Sequence, residues 1–346
     1  MKKLIALGLV MLLCGVMFVG ADDAKVMPKR IGRIYLAPSF AFANGEFNKD
    51  GEYEGYDSGE GAMKALNLGV ALEYGPLDWL TAALQWAPGW NMWSDVDTSI
   101  ALSDEVNANG VMDLFVGAKI QIIGEKGLIQ NTMFRFAVGP GIKIPLPGPD
   151  YEEQVKNSMN GDPVTAANVD KHSLGVGARV YFDYIINEKF FINLYSEFIG
   201  YPIKGDLKKS GYMGYYLATQ MDGAGVDSSK IVNYGYDLTF ELEPVFSTPI
   251  GGGIIFTGGL PFNYKINPGI KYDVSYPNSV VEGMFASYFV DEDPSHLFAI
   301  KPNVSFFFTS WKLPTEFRLQ YGIPVAGKND RATHSISLIG KLYLKI

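Results

Sequence analysis

The stretch His172–Gly200, HSLGVGARVYFDYIINEKFFINLYSEFIG, decides how the rest of the chain is read. Leu174, Val176, Ala178, Val180, Phe182, Tyr184 and Ile186 fall on one face, and Ser173, Gly175, Gly177, Arg179, Tyr181 and Asp183 on the other. That is the period of two expected of a strand. After Asn187-Glu188-Lys189 the alternation restarts, with Phe190, Ile192, Leu194 and Phe198 against Asn193, Tyr195 and Glu197. A tight turn thus joins two strands of about ten residues. Strands of soluble proteins average about five or six, whereas a strand crossing a bilayer at a tilt needs about nine to eleven.

The composition permits that reading. Of 346 residues, 47% are hydrophobic, 14% aromatic and only 19% charged, and the mean hydropathy is +0.06. That is high for a soluble protein and low for a bundle of membrane helices. The 39 glycines beside so many aromatic rings suit strands and turns. A net charge of -8 and a pI near 5.0 argue against nucleic acid as a partner, because phosphate binding needs basic patches.

The N-terminus sets the compartment. Lys2 and Lys3 precede an apolar run from Leu4 to about Val19, and Val19-Gly20-Ala21 supplies a cleavage site before Asp22. Residues 1–21 are therefore expected to be a cleaved signal peptide and residues 22–346 one barrel domain. The sole cysteine, Cys14, lies in the leader, so the mature chain has no thiol for a disulfide or thiolate chemistry.

Twelve segments fit the alternating template. They begin at about Ile31, Met63, Trp79, Met112, Phe134, Leu174, Phe190, Tyr234, Gly252, Phe298, Phe317 and Ile336. The connections alternate long and short, from the polar loop after Phe42 to a gap of some residues before the last segment. All short turns then lie at one end and all long loops at the other. Membrane barrels with both termini in the periplasm have that asymmetry; a soluble sandwich has no reason to keep it. Trp79 and Trp311 fall beside short turns, and Trp86, Trp90 and Trp93 beside a long loop, as in two interfacial aromatic girdles.

Signal peptide, alternating segments and a last strand ending at the final residue together resemble the bacterial outer-membrane β-barrel proteins, over the whole mature chain. The departure is Ile346, where such proteins typically end in an aromatic residue. The resemblance implies an all-β, antiparallel up-and-down barrel of about twelve strands, with short periplasmic turns and long extracellular loops. It further implies outer-membrane lipid, small solutes and the barrel-assembly machinery as partners. The outer-membrane fatty-acid channels are a possible relative, yet neither their Asn-Pro-Ala motif nor an N-terminal plug is visible between Asp22 and Arg30.

Parity gives the charged residues a direction. Arg33, Asp113, Lys119, Arg135, Arg179, Asp183, Glu197, Asp237, Glu241, Lys301, Glu316 and Arg318 are expected to line the pore. Glu73, Lys143, Glu243, Lys341 and Lys345 share their face. These charges either line a wet channel and select solutes, or pair across the lumen and brace its wall. The expected function is passive diffusion of small solutes through a narrow, charged lumen. The alternatives are a surface barrel acting through its loops, as a structural element or adhesin, and uptake of hydrophobic compounds.

No cofactor and no catalysis are expected. The outer-membrane phospholipases resemble this architecture but use a histidine and a serine two apart on one strand. Here His172, His296 and His334 are followed two residues later by Leu174, Phe298 and Ile336. Loop 43–62 carries a partial calcium-loop spacing in Asn48, Asp50, Gly51, Glu52, Glu54 and Asp57, although charged residues in an exposed loop are usually solvated; no metal site is assigned.

Overall fold

Alternation over ten or more residues gives each strand one apolar and one polar face, and a sheet so built closes on itself. The computed structural model describes residues 23–56, 63–95, 106–148, 150–160, 162, 164–166 and 171–346. The expected signal peptide and Asp57 lie outside the described residues. Twelve wall strands form a closed antiparallel barrel. They are β1 (Ile31–Phe47), β2 (Met63–Leu77), β3 (Leu80–Asp95), β4 (Val106–Val111 with Leu114–Gly124), β5 (Phe134–Ile144) and β6 (Gly175–Ile185). There follow β7 (Phe190–Gly200), β8 (Tyr236–Gly251), β9 (Ile254–Gly259 with Phe262–Asn267), β10 (Ser295–Ile300 with Asn303–Phe308), β11 (Thr315–Lys328) and β12 (Asp330–Lys345). Each pairs with its sequence neighbour, and β12 closes on β1 from Ile31 opposite Lys345 to Phe47 opposite Asp330.

The faces separate by polarity. Leu36, Leu194, Leu242 and Leu319 point outward, Leu36 and Leu319 each 51% exposed. Ser39, Asn67, Gln121, Asn193, Ser305 and Gln320 are buried on the inner face. Inward rings rest on glycines: Phe115 lies over Gly141, where an added Cβ would come within 2.2 Å of the ring.

Four neighbouring strands carry a proline at about one level. Pro244 sits in β8, Pro261 and Pro302 in the interruptions of β9 and β10, and Pro324 at the register shift between β10 and β11. Proline has no N–H to give a ladder. The wall is held there by single bonds, Leu260 N–H to Pro244 O at 3.1 Å and Lys301 N–H to Pro261 O at 2.8 Å.

Several sequence boundaries change: β1 runs on past Phe42 to Phe47 and pairs there with Tyr53–Gly55, β4 begins at Val106 ahead of Met112, β8 runs through Ser247 to Gly251, and the ends of β3 and β11 move as well. β3 runs through Trp86, Trp90 and Trp93 to Asp95, so these rings belong to a strand instead of flanking a loop; Gly89, at φ 82, absorbs the irregularity that breaks the alternation. β11 and β12 meet with one residue between them, Asn329 at φ 48, so the last connection at the long-loop end is tight.

The described residues of three other long connections, after β5, β7 and β9, fold over their mouth of the barrel. They contribute helices α1 (Tyr151–Asn160), α2 (Tyr212–Gly223) and α3 (Ser279–Phe285) and a small sheet of Val232–Asn233 with Lys271–Tyr272. Leu207, Ala218, Met221, Val226, Val232, Tyr234 and Phe285 form a core there with Phe115 and Ile199 of the wall. Among the described residues no helix is long and apolar enough to cross a membrane.

Candidate functional site

The inner face of the barrel is the site, and β1 to β3 and β6 to β7 build one half of it. Arg33 on β1 meets Glu73 on β2 with Nη2 at 2.5 Å and Nε at 2.9 Å from Oε2. Glu73 also accepts from Gln85 on β3 at 3.2 Å. From across the lumen Arg179 on β6 donates both to Gln85 and to Glu197 on β7, and its guanidinium lies 3.7 Å from the centroid of the Phe115 ring. Tyr195 completes the chain with a 3.0 Å bond to Glu197. Because β4 and β5 separate β3 from β6, the Arg179 to Gln85 bond spans a chord of the barrel.

Beside that chord residues 23–28, ahead of β1, enter the lumen. Asp183 receives the Ala24 N–H on both carboxylate oxygens, at 3.0 and 3.1 Å. Gln121 donates to Ala24 O at 2.8 Å, Lys119 Nζ to Asp23 O at 2.9 Å, and Met27 N–H reaches Thr81 Oγ1 at 2.7 Å. Ala24 is 0% exposed and packs in one buried cluster with Ala137 and Tyr181. Residues 23–28 thus lie inside the lumen, although no plug is visible there in the sequence. The segment has no strand period and no motif, and its only hint is the apolar Ala24, Val26 and Met27 in a stretch that is not a strand.

The other half of the lumen, on β7 to β12, carries a second network. Glu316 accepts from Lys341 at 3.2 Å and lies 3.4 Å from Arg318. Glu241 accepts from Asn263 at 2.8 Å and faces Lys301 at 3.7 Å. Glu243 accepts from Asn303 at 2.9 Å and from Asn193 at 3.2 Å. Back in the first half, Arg135 on β5 reaches Asp183 on β6 at 3.5 Å and Glu125 in the β4–β5 turn at 3.1 Å.

Asp237 and Asp113 sit apart, at the long-loop end. Asp237 binds Lys171 at 2.7 Å and Tyr201 Oη at 2.8 Å. Asp113 lies 3.4 Å from His172 Nδ1 and accepts from Leu146 N–H at 3.3 Å, tying the start of a long loop to the wall. On α1 nearby, burial pushes the Tyr151 phenol up to about 12. The twelve sequence-selected residues thus divide between two lumen networks and this rim. Of the two readings of the charges, mutual pairing describes Arg33, Arg179, Glu197 and Glu316, whereas Asp183 and Lys119 hold backbone.

At the short-turn end a cavity of about 870 Å³ opens between the N-terminal segment and β7 to β12. Arg33, Glu243, Glu316, Arg318 and Lys341 line it together with Ile185, Phe191, Val245, Ile255 and Phe307.

Neither the histidine and serine pair nor the acidic loop gathers into a centre. Ser173 Oγ donates to Ile203 O at 3.3 Å, away from the His172 and Asp113 pair. In loop 43–62, Asn48 Oδ1 accepts from the N–H groups of Asp50 and Glu52, which makes it the cap of its own turn. Among the described residues no three His, Cys, Asp or Glu side chains are placed to hold a metal ion.

No family model matches the chain, and no curated protein matches it in sequence. Solved structures do resemble it. An outer-membrane channel from Pseudomonas putida F1 is 13% identical with a TM-score of 0.61, over 94% of this chain and 100% of that one. A FadL homologue of Pseudomonas aeruginosa is 9% identical with a TM-score of 0.39, over 92% and 90% of the two chains. At 13% identity the first likeness is one of architecture; together with the twelve strands, their closure and the outward apolar face of this chain it shows the fold of a bacterial outer-membrane β-barrel.

Proposed function

We propose that this protein is an outer-membrane channel for small solutes whose lumen is obstructed by its own N-terminal segment and conducts when that segment withdraws. The observation that carries the reading is how residues 23–28 are held. Asp183, Gln121, Lys119 and Thr81 grip the segment through backbone hydrogen bonds, and it pairs with no wall strand. A neutral bond of this kind contributes about 1 kcal/mol net, and one to a charged group such as Asp183 or Lys119 about 1.5–3 kcal/mol. The segment is held firmly enough to close the path and weakly enough to be released. The twelve selected residues then act as lining or as braces of the path.

Reconstitution into planar bilayers tests this. Replacing Asp183 by Ala removes both acceptors of the Ala24 N–H and leaves a buried donor unsatisfied, a loss of about 1–3 kcal/mol. The variant is expected to assemble and to conduct at least about fivefold more than the wild type. Absence of ion flux, and of solute uptake into liposomes, from both proteins would sink the channel reading.

Uptake of hydrophobic compounds is the second reading, favoured by one observation. Ile185, Phe191, Val245, Ile255 and Phe307 give the cavity at the short-turn end an apolar wall. That reading predicts specific retention of a detergent or alkane there, with little conductance.

A further inference from the structure

At the mouth of the barrel on the long-loop end, Lys171 stands in a box formed by Tyr201, Tyr234 and Asp237. Lys171 Nζ stands 4.3 Å from the centroid of the Tyr201 ring and 5.9 Å from that of Tyr234. A third side is the Asp237 carboxylate, with Oδ1 at 2.7 Å. The walls are fixed to one another independently of their occupant. Tyr201 Oη donates to Asp237 Oδ2 at 2.8 Å, and the two rings meet edge to face, centroids 6.0 Å apart at 62°. Both tyrosines belong to the buried core of the lid. Tyr234 is seated against Gly205, where an added Cβ would approach the ring to 2.6 Å. The Lys143 ammonium donates to the Tyr201 hydroxyl at 3.4 Å.

Two aromatic faces and a carboxylate around one cation are more than a rim ion pair requires. An exposed pair needs only the carboxylate and contributes little; ring faces add attraction to an ammonium chiefly where it has left water. Here the Lys171 side chain is 16% exposed, while that of Asp237 is 37% exposed and keeps an open edge. The box is thus desolvated at its centre and accessible at one side, as an exchangeable ligand needs.

We infer that Tyr201, Tyr234 and Asp237 form a binding site for an organic ammonium group, and that Lys171 is a tethered occupant which an incoming alkylammonium solute displaces. The inference rests on the channel reading and gives it a substrate class: small solutes bearing an alkylammonium group meet this box at the mouth of the path. A tethered competitor acts at an effective concentration on the millimolar scale. Free ligand of modest affinity therefore enters only when abundant, unless the tether is cut.

Ligand-observed NMR on the detergent-solubilised, full-length barrel tests the site, with tetramethylammonium as probe and neopentyl alcohol, a water-soluble neutral molecule of similar shape, as control. Lys171→Met removes the occupant and leaves the box, and is expected to bind tetramethylammonium at least about tenfold more tightly than the wild type. Adding Tyr201→Leu or Asp237→Asn to Lys171→Met is expected to abolish that binding, in protein whose heat-dependent gel mobility reports a folded barrel. Neopentyl alcohol is expected not to bind. Equal affinity of wild type and Lys171→Met, or binding that survives both double substitutions, would overturn the inference. Bilayer conductance of the same proteins separates the two readings: binding without any ion flux refutes the channel and leaves the ammonium site standing.

Discussion

At the scale of single residues the lipid and lumen faces are set by parity, since shifting a strand by one residue exchanges every side chain between them. Leu194 lies between Phe182 on β6 and Leu242 on β8, all three on the outer face. An arginine there meets hydrocarbon at a cost of about 2–4 kcal/mol near the midplane. Leu194→Arg is thus expected to lower the folded fraction in lipid vesicles, scored by heat-dependent mobility. Arg179→Gln, one strand away on the inner face, is expected to fold like the wild type and to change conductance by breaking the chord to Gln85. Equal assembly of the two variants would reverse the faces. Direction was therefore legible from the sequence for Arg179, Asp183 and Glu197, because it depends only on local period. Partners were not. Asp183 takes the N–H of Ala24, 159 residues away, and that pairing exists only once the barrel has closed around the segment.

At the scale of elements the strands were legible and the lid was not. A wall strand announces itself by ten alternating residues, but α2 and the small sheet are stabilised by apolar residues gathered from separate loops, among them Leu207, Met221 and Phe285. Spacing along one loop carries no trace of that core. The tight turn at Asn329 was hidden for another reason: Pro324, Gly327 and the charges from Lys328 to Arg331 interrupt the alternation although the backbone continues as strand. The lid has a test of its own in acid. A hydrogen bond from Lys208, whose Nζ lies 2.6 Å from Asp222, holds that carboxyl below its ordinary 3.8. A carboxyl lowered in the folded state contributes stability above its ordinary value, and this is lost as pH falls through the folded one. Protease resistance of the lid in the folded barrel is accordingly expected to be level from neutral pH down to about pH 4, the ordinary range of an aspartate, and to decline below it. Asp222→Asn should remove the part of that decline owed to this pair. An identical acid profile in the variant would place the sensitivity elsewhere.

At the scale of the whole molecule, the fold leaves one consequential question, whether the segment in the lumen is a fixed filling or a moving part. Twelve strands enclose more room than the eight that side chains alone can fill, and far less than the sixteen or more of an open porin. Here the remainder is shared between the Arg179 chord, residues 23–28 and the cavity of about 870 Å³ at the short-turn end. If the segment moves, fixing it must reduce current. Ala24 on the segment and Ala137 on β5 are both 0% exposed in one buried cluster, so cysteines at the two positions are the pair to test for a bridge between segment and wall. The background is favourable because Cys14, the only native cysteine, falls in the expected leader. Bridge formation is scored by mobility without reductant. The oxidised Ala24→Cys, Ala137→Cys protein is expected to conduct less than the wild type, by at least about fivefold, and reduction in the bilayer chamber is expected to restore the current. A bridged barrel that conducts like the wild type would make residues 23–28 a static part of the wall, and the solute path would then have to run past Glu243 and Glu316 on the opposite side.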